Sequence, residues 1–200
     1  MPWRLLLECG ITELPVKVSA ICRHLGVGLR TYTQGYELIR RAGLADRVRS
    51  GDGFLFRPED GPPIIFYNGF ATVGRQRFTV AHELGHYVLG HTGRLLNREP
   101  SPTDTPQERA ANAFAARLLA PACVLRGLKV RGAAQIVHYC GISQQAAEYQ
   151  MERLTELYRR DAAYMAEHGR SYFFRSELEW KVYQQFEPFI LAQRSSSITV

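Results

Sequence analysis

The stretch that most constrains how this chain folds is Arg77–Leu89, which contains His-Glu-Leu-Gly-His at residues 82–86. Residues four apart lie above one another on an α-helix, so His82 and His86 would present two imidazoles to one metal ion, with Glu83 beside them. The opposite side of such a helix carries the apolar residues Val80, Leu84 and Tyr87. The pattern therefore predicts an amphipathic helix with the ligand spacing of zinc hydrolases. Because five residues can match by chance, the prediction requires a third ligand.

Length and charge set the wider limits. The chain has 200 residues and a formal net charge of +6, carried almost wholly by scattered arginines. This length suits one compact domain, or one domain with a helical appendage, and the charge distribution predicts a solvated surface rather than a nucleic-acid site. The cysteines show no Cys-x-x-Cys spacing, which favours reduced, mostly buried thiols. They are Cys9, Cys22, Cys123 and Cys140. Because no apolar stretch is long enough for a signal peptide or a bilayer span, we expect a cytoplasmic protein without a membrane partner.

The segments before the histidines predict an α+β fold. Residues 3–9 and 15–25 resemble short helices, and residues 29–33 are β-branched and aromatic, as in a strand. Two further strand candidates, 53–57 and 63–68, are joined by a turn and would form a small sheet before the histidine helix. The second of them would either accept an extended peptide along a sheet edge or pack as an ordinary strand. Both interpretations are open at this point.

Three residues downstream are candidates for the third ligand. At 100° per residue, His91 lies about 140° round the helix from His86, which predicts a packing or capping role instead. Glu99 falls in a proline-rich stretch that predicts an exposed loop and a poorly held side chain. Glu108 opens a helix that begins at Pro106 and is stopped by Pro121, and it shares a face with alanines and leucines. Glu108 is therefore the best placed candidate.

A carboxylate on an apolar helix face costs free energy unless a partner satisfies it. A zinc ion would satisfy Glu108, and the small alanines beside it would let the two helices approach closely. Asn112, one turn further, could then orient a ligand from behind. Thr105 and Glu108 also match a capping box, in which the glutamate would bond back to the start of the helix. The two roles of Glu108 are compatible.

Two blocks together resemble the ImmA/IrrE family of metallopeptidases. The first is Arg-Phe-Thr-Val-Ala-His-Glu-Leu-Gly-His at residues 77–86, and the second is Glu-Arg-Ala-Ala-Asn-Ala-Phe-Ala-Ala-Arg-Leu-Leu-Ala-Pro at residues 108–121. The family has a phenylalanine-threonine approach to the His-Glu-x-x-His helix and a second helix of the type Glu-x-x-Ala-Asn-x-Phe-Ala. This chain departs at Ala120, where methionine is frequent, and the departure affects no chemical group. A looser resemblance extends from about residue 10 to 160.

The resemblance implies a zincin-like, gluzincin-type α+β fold with zinc bound by His82, His86 and Glu108. It also implies that Glu83 is the catalytic base, taking a proton from water during hydrolysis of a peptide bond. Members of the family cleave, or otherwise relieve, helix-turn-helix repressors, so such a repressor is the expected protein partner. The alternative is a non-proteolytic anti-repressor or DNA-binding regulator with a structural metal site. An intact Glu83 favours the protease, because a binding module has no use for that carboxylate.

The remaining chemistry and the domain division are less specified. Tyr67, Tyr87, His138 and Tyr139 are suited by type to stabilise an oxyanion, and none of them is assigned. We expect a catalytic domain over residues 1–125 and a helical subdomain over residues 126–200. Within the latter, residues 133–160 predict a helix-turn-helix-like hairpin with Ser143 as N-cap. Its few basic and amide side chains predict packing on the catalytic domain rather than direct contact with nucleic acid.

The last thirty residues are rich in aromatic side chains. Residues 176–179 predict a capping box that opens a terminal helix with one apolar side. Such a face must cover something, and it would pack on the domain, dimerise or grip a substrate. Residues 195–200 are expected to be a frayed tail.

Overall fold

The computed structural model describes residues 1–91, 105–174 and 176–196, and within them the chain is α+β, as predicted. The helices are α1 Pro2–Glu8, α2 Val18–His24, α3 Tyr36–Arg41, α4 Ala45–Ser50, α5 Val73–Val88, α6 Pro106–Leu119, α7 Ala122–Gly127, α8 Ala133–Cys140, α9 Gln144–His168 and α10 Glu177–Ser196. The strands are β1 Gly28–Thr31, β2 Gly53–Phe56 and β3 Ile64–Tyr67, and a short 3-10 turn covers Tyr172–Phe174. No described helix is both long and apolar enough to cross a bilayer.

Internal contacts divide the chain into two compact units. The first, here called the sheet unit, is Val18–Ala115. The second, the helical unit, combines Met1–Lys17 with the chain from Ala116 onward. All the candidate metal ligands fall in the sheet unit. A catalytic domain ending at residue 125 stays a prediction.

The sheet has the strand order β1-β3-β2, so β3 is its central strand. β1 pairs with β3 in parallel, with Leu29 opposite Ile65, and β2 pairs with it antiparallel, with Leu55 opposite the same residue. Ile64, Ile65 and Phe66 are all buried, so both faces of this central strand are covered. The interpretation of residues 63–68 as a peptide-accepting edge is therefore wrong, because both edges of β3 are already paired.

One hydrophobic cluster lies against this sheet. Its buried members are Ile39, Phe54, Ile64 and Phe66, and its partly buried members are Tyr32, Leu38, Leu44, Val48 and Phe56. Helix α4, which the sequence pattern did not predict, contributes only Val48 to the cluster. Because three of its six residues are charged, it has no apolar period that a sequence pattern could detect.

The helical unit contains the predicted hairpin. Helix α8 ends at Gly141, whose φ of 60° is in the left-handed region, and the hydroxyl of Ser143 caps α9 by accepting from the N–H of Ala146 at 3.2 Å. The predicted N-cap is thereby confirmed, although α9 runs on to His168.

Helix α10 begins with the predicted capping box. The hydroxyl of Ser176 accepts from the N–H of Glu179 at 3.2 Å, while the Glu179 carboxylate accepts from the N–H of Ser176 at 3.4 Å. Val182, Phe186 and Ile190 are completely buried, and α10 packs on α1 and α7. The apolar face therefore serves packing within the unit. A frayed tail is wrong for residues 195 and 196, which are helical; residues 197–200 lie outside the described part.

The prediction that most of the thiols are buried is confirmed. All four cysteines are free, and Cys22, Cys123 and Cys140 are buried. Burial raises the pKa of the Cys22 and Cys123 thiols to about 12, which keeps both protonated near neutral pH.

Candidate metal centre

The two histidines lie one turn apart near the end of α5. Nε2 of His82 and Nε2 of His86 are 3.0 Å apart, so the same atom of each ring is directed at one point. The opposite face of the helix is buried through Val80 and Leu84, as predicted, whereas Tyr87 is half-buried. The amphipathic period of the helix thus determines which way both imidazoles face.

Glu108 completes the group from α6. Its Oε2 lies 3.2 Å from Nε2 of His82, and its Oε1 lies 3.5 Å from Nε2 of His86. The three side chains can offer one ligand atom each, all within 4.8 Å of one another. A tetrahedral zinc with bonds of about 2.0–2.1 Å separates its ligand atoms by about 3.3 Å, which is close to all three of these distances. The described geometry therefore fits one ion with four-fold coordination.

The hydrogen bond behind His82 specifies its tautomer. Oδ1 of Asn112 lies 2.8 Å from Nδ1 of His82. An amide oxygen only accepts, so Nδ1 carries the proton and Nε2 of a neutral ring presents a lone pair. That lone pair faces a carboxylate oxygen and a second imidazole nitrogen, and the three atoms can share either a proton or a metal cation. Two imidazoles and a carboxylate are the donor set of catalytic zinc sites.

His91 contacts the ligand group without joining it. Helix α5 stops at Val88, and Gly90, with a φ of 70°, turns the chain back in a Schellman motif. In that motif the N–H of His91 donates to the carbonyl of His86 at 3.0 Å, which confirms the predicted capping role. The side chain also folds back, and Nδ1 of His91 lies 3.0 Å from Nδ1 of His86, on the side of the ring away from Glu108.

The capping box at the start of α6 uses the backbone of Glu108. The hydroxyl of Thr105 accepts from the N–H of Glu108 at 3.2 Å, while the carboxylate contacts the two histidines. The Thr105 half of the predicted capping box is thus confirmed, while a bond from the Glu108 carboxylate back to the helix start stays a prediction. The competing carboxylate, Glu99, lies outside the described residues.

Gly85 determines how closely α5 and α6 approach. A Cβ at this position would lie 3.1 Å from the Phe114 ring and 3.2 Å from the carbonyl oxygen of Ala111. The sequence interpretation assigned close approach to the alanines of α6 alone and missed the glycine on the facing helix. Glycine inside a helix costs roughly 0.5–1 kcal/mol relative to alanine, and that cost could have marked the position as a contact.

Glu83 is buried, with 2% of its surface exposed, and its carboxylate contacts the sheet. Its Oε2 accepts from the backbone N–H of Leu55 at 3.0 Å. The carbonyl of Asp52 accepts from the N–H of Asn68 across the β2–β3 pair, so the alternating antiparallel pattern directs the N–H of Leu55 away from β3. The outer edge of β2 therefore holds one carboxylate oxygen of Glu83, the residue that lies between His82 and His86 in the sequence.

This contact belongs to a series of three that connects residues 53, 55 and 57, which are β2 and the residue after it, to α5. The side chain of Thr79 lies over Gly53, Glu83 binds Leu55, and the ring of Tyr87 lies 5.5 Å from the guanidinium carbon of Arg57. Two strand residues span about 6.7 Å, and four helix residues span about 6.0 Å. Because these lengths are similar, every second residue of the strand lies beside the next turn of the helix.

Arg57 was not considered from the sequence. It stacks on Tyr87, and its Nε is buried without a hydrogen-bond partner in the described chain. Of the candidates for an oxyanion donor, Tyr67 and Tyr87 belong to the sheet unit, whereas His138 and Tyr139 lie on α8 in the helical unit. The strand candidate 53–57 already contained Arg57, and the alternation that places it on the same side as Gly53 and Leu55 was the available signal.

A family model described as Peptidase_M78, IrrE N-terminal-like domain, matches residues 43–152. This range contains α5 and α6, and hence the candidate ligands His82, His86 and Glu108 together with Glu83. A search of curated proteins found no match.

Proposed function

The chain belongs to the Peptidase_M78 family of IrrE N-terminal-like domains, and we propose that it is a zinc-dependent metalloendopeptidase. The observation that carries this proposal is the buried group of His82, His86 and Glu108, with the Glu83 carboxylate on the same helix. Its proposed reaction is hydrolysis of a peptide bond in a regulatory protein.

His82, His86 and Glu108 would hold the metal in this proposal. Zinc bound by three protein ligands polarises a carbonyl and makes water acidic near neutral pH. Asn112 and His91 would each hold one histidine ring in the orientation that directs Nε2 at the ion. The donor set favours zinc, although the same ligands accept other divalent metals.

Glu83 is the proposed general base. It would take the proton of the attacking water on a carboxylate oxygen and return it to the departing amine. The hydrogen bond from the N–H of Leu55 to Oε2 fixes the carboxylate, so it needs no reorientation during either transfer. Burial of Glu83 excludes bulk water from this proton path.

The proposed substrate is a helix-turn-helix transcriptional repressor, whose hydrolysis would relieve repression. This rests on the resemblance of residues 77–86 and 108–121 to the ImmA/IrrE family. A cytoplasmic protease would meet such a repressor directly, so no secretion step is required.

A second candidate function is a regulator that binds a repressor or DNA without proteolysis. The start of α9 argues against DNA contact, because Glu148 and Glu152 lie one turn apart on its exposed surface and the helix has no basic residue before Arg153. Two exposed carboxylates repel the phosphate backbone. Binding of the repressor without cleavage is the stronger form of this candidate.

The test combines metal analysis with a cleavage assay. We expect about one zinc per chain, and Glu83→Gln should retain the metal yet fail to cleave a helix-turn-helix repressor encoded beside the gene. Glu13→Gln is the matched control, because Glu13 is exposed and pairs only with Lys17 among the contacts described here. Equal relief of repression by the wild type and Glu83→Gln would reject the protease in favour of the binding protein.

A further inference from the structure

A cleft of about 520 Å³ opens in the helical unit. The residues of the metal centre belong to the sheet unit and do not line it. Its volume is within the range of small-molecule sites. Five charged side chains and one aromatic ring in its lining carry the argument: Arg126, Lys129, Arg131, Tyr158, Asp161 and Arg194. Four of these residues are basic, and Asp161 is the one acidic residue among the described lining residues.

Asp161 is already satisfied within the unit. Its Oδ2 accepts from Nη2 and Nε of Arg126 at 2.7 and 3.0 Å, and its Oδ1 accepts from the hydroxyl of Ser171 at 2.6 Å and the N–H of Tyr172 at 2.7 Å. Arg126 and Asp161 therefore cancel each other's charge. Four basic residues less one acidic residue leave a net charge of +3 in the cleft.

Arg131 is held in place by an aromatic ring. Its guanidinium carbon lies 4.8 Å from the centre of the Tyr158 ring, and the hydroxyl of Tyr158 donates to the carbonyl of Val130 at 3.0 Å. Contact with a fixed ring restricts the guanidinium, and its edge N–H groups can still donate hydrogen bonds. A planar guanidinium in a fixed position is suited to bidentate binding of phosphate.

Lys129 adopts a backbone conformation that is costly for lysine. Its φ is 57°, and it is the one non-glycine residue with a positive φ in the described chain. It follows the end of α7, where the N–H of Val130 donates to the carbonyl of Leu125 at 3.1 Å, a position that glycine usually occupies. Arg126 and Arg194 lie in the last turns of α7 and α10, where a basic side chain is attracted to the helix C-terminus. This attraction does not explain why position 129, beyond the end of α7, has lysine instead of glycine. A strained residue is a reason to look for a function of its side chain.

We propose that this cleft binds a small anion with two or more phosphate groups. Lys129, Arg131 and Arg194 supply the charge, Arg131 supplies a preorganised fork, and the volume exceeds what one phosphate needs. The inference does not depend on the proposed peptidase activity, because no residue of the metal centre takes part.

The experiment uses the full chain, with pyrophosphate and ATP as probes. Trp180 is a natural reporter, since its ring stacks on Tyr183, which also lines the cleft, with centroids 5.7 Å apart and an angle of 12°. We expect a saturable change of Trp180 fluorescence in a Trp3→Phe background and one bound anion per chain by calorimetry. Sulfate at equal ionic strength should not reproduce it.

Two variants and a control make the assignment specific. Arg131→Gln and Lys129→Gly should each weaken binding about tenfold or more, as expected for a lost charge-assisted contact. Lys17→Gln removes the same unit of charge from an exposed site and should leave affinity unchanged. Because glycine relieves the left-handed strain, Lys129→Gly should melt at the same temperature as the wild type or higher, so that its loss of binding is not unfolding. Absence of saturable binding of both probes, or equal affinities in Arg131→Gln, Lys129→Gly and Lys17→Gln, would overturn the proposal.

Discussion

Nδ1 of His91 lies 3.0 Å from Nδ1 of His86, so a residue just beyond the helix supports the ring of a proposed metal ligand. Removing such a partner typically lowers metal affinity 10–100-fold. We therefore expect His91→Ala to bind zinc about tenfold or more weakly in competition with a chromophoric chelator, and His91→Asn to recover part of the affinity. His24→Ala, on the exposed end of α2, is the control. Unchanged affinity in His91→Ala would show that the contact is incidental.

Gly85→Ala tests the approach of α5 to α6. The added Cβ would meet the Phe114 ring and the backbone of Ala111, and backbone cannot move as a side chain does. We expect a loss of about 1–3 kcal/mol in the free energy of unfolding, together with weaker zinc binding because the ligands separate. Gly132→Ala is the matched control, since a Cβ there meets nothing within 4 Å. Equal stability of the two variants in urea denaturation would disprove the close contact.

Leu55→Pro removes the N–H that binds Glu83. Because this N–H points away from β3, proline costs the sheet no ladder hydrogen bond. We expect zinc binding to persist while the rate of peptide hydrolysis falls about tenfold, which corresponds to one lost hydrogen bond of about 1.4 kcal/mol. Leu55→Ala shortens the side chain but keeps the N–H, and should retain most of the activity. If both variants lost activity equally, the side chain rather than the hydrogen bond would matter.

Asp161→Asn tests the charged pair of the helical unit. Burial alone would raise the pKa of Asp161, but hydrogen bonds from Ser171, Arg126 and the N–H of Tyr172 bring it below its ordinary value. A lowered carboxyl pKa contributes stability above the unfolded-state pKa of about 3.9, and that stability is lost as the pH falls through the folded-state value.

We therefore expect Asp161→Asn to lower the free energy of unfolding by about 3 kcal/mol at pH 7, because Arg126 loses its buried partner. The difference from wild type should shrink as the pH falls from about 3.9, where the carboxyl protonates in the unfolded chain, through the lowered folded-state pKa of Asp161, below which the native carboxyl is neutral as well. Asp46→Asn, at a fully exposed pair with Arg49, should change stability by less than about 0.5 kcal/mol. Chemical denaturation at pH 7 and pH 3 measures both differences.

The candidate ligands were predictable because helical periodicity is local. His82 and His86 share one turn, and Glu108 stood out as a carboxylate on an apolar face. The contact of Asn112 with His82 agrees with its predicted position, while its role in orienting the ring stays a prediction. The sequence was less informative about His91, because an extrapolated helix continues where the real one reverses at Gly90.

The arrangement of the strands could not be predicted in the same way. Which strand is central depends on the parallel pairing of β1 with β3 across more than thirty residues, and no local pattern encodes that choice. The apolar run at residues 64–66 indicated burial, yet the interpretation as an edge ignored β1. Helix α4 was missed for a different reason: its charged residues have no apolar period, and its one cluster residue, Val48, contributes only through tertiary contacts.

Residues 53, 55 and 57 contact α5 at three points, one on each of three successive helix turns. Each pair of strand residues advances about 0.7 Å further than the helix turn beside it, so the error between Gly53 and Arg57 reaches about 1.4 Å. Another pair would bring the difference in length to about 2 Å. Because the contact of Leu55 with Glu83 lies in the middle, the difference in length between strand and helix is about 0.7 Å at each end. The most accurate alignment in the pairing therefore falls on the carboxylate that the proposed chemistry uses.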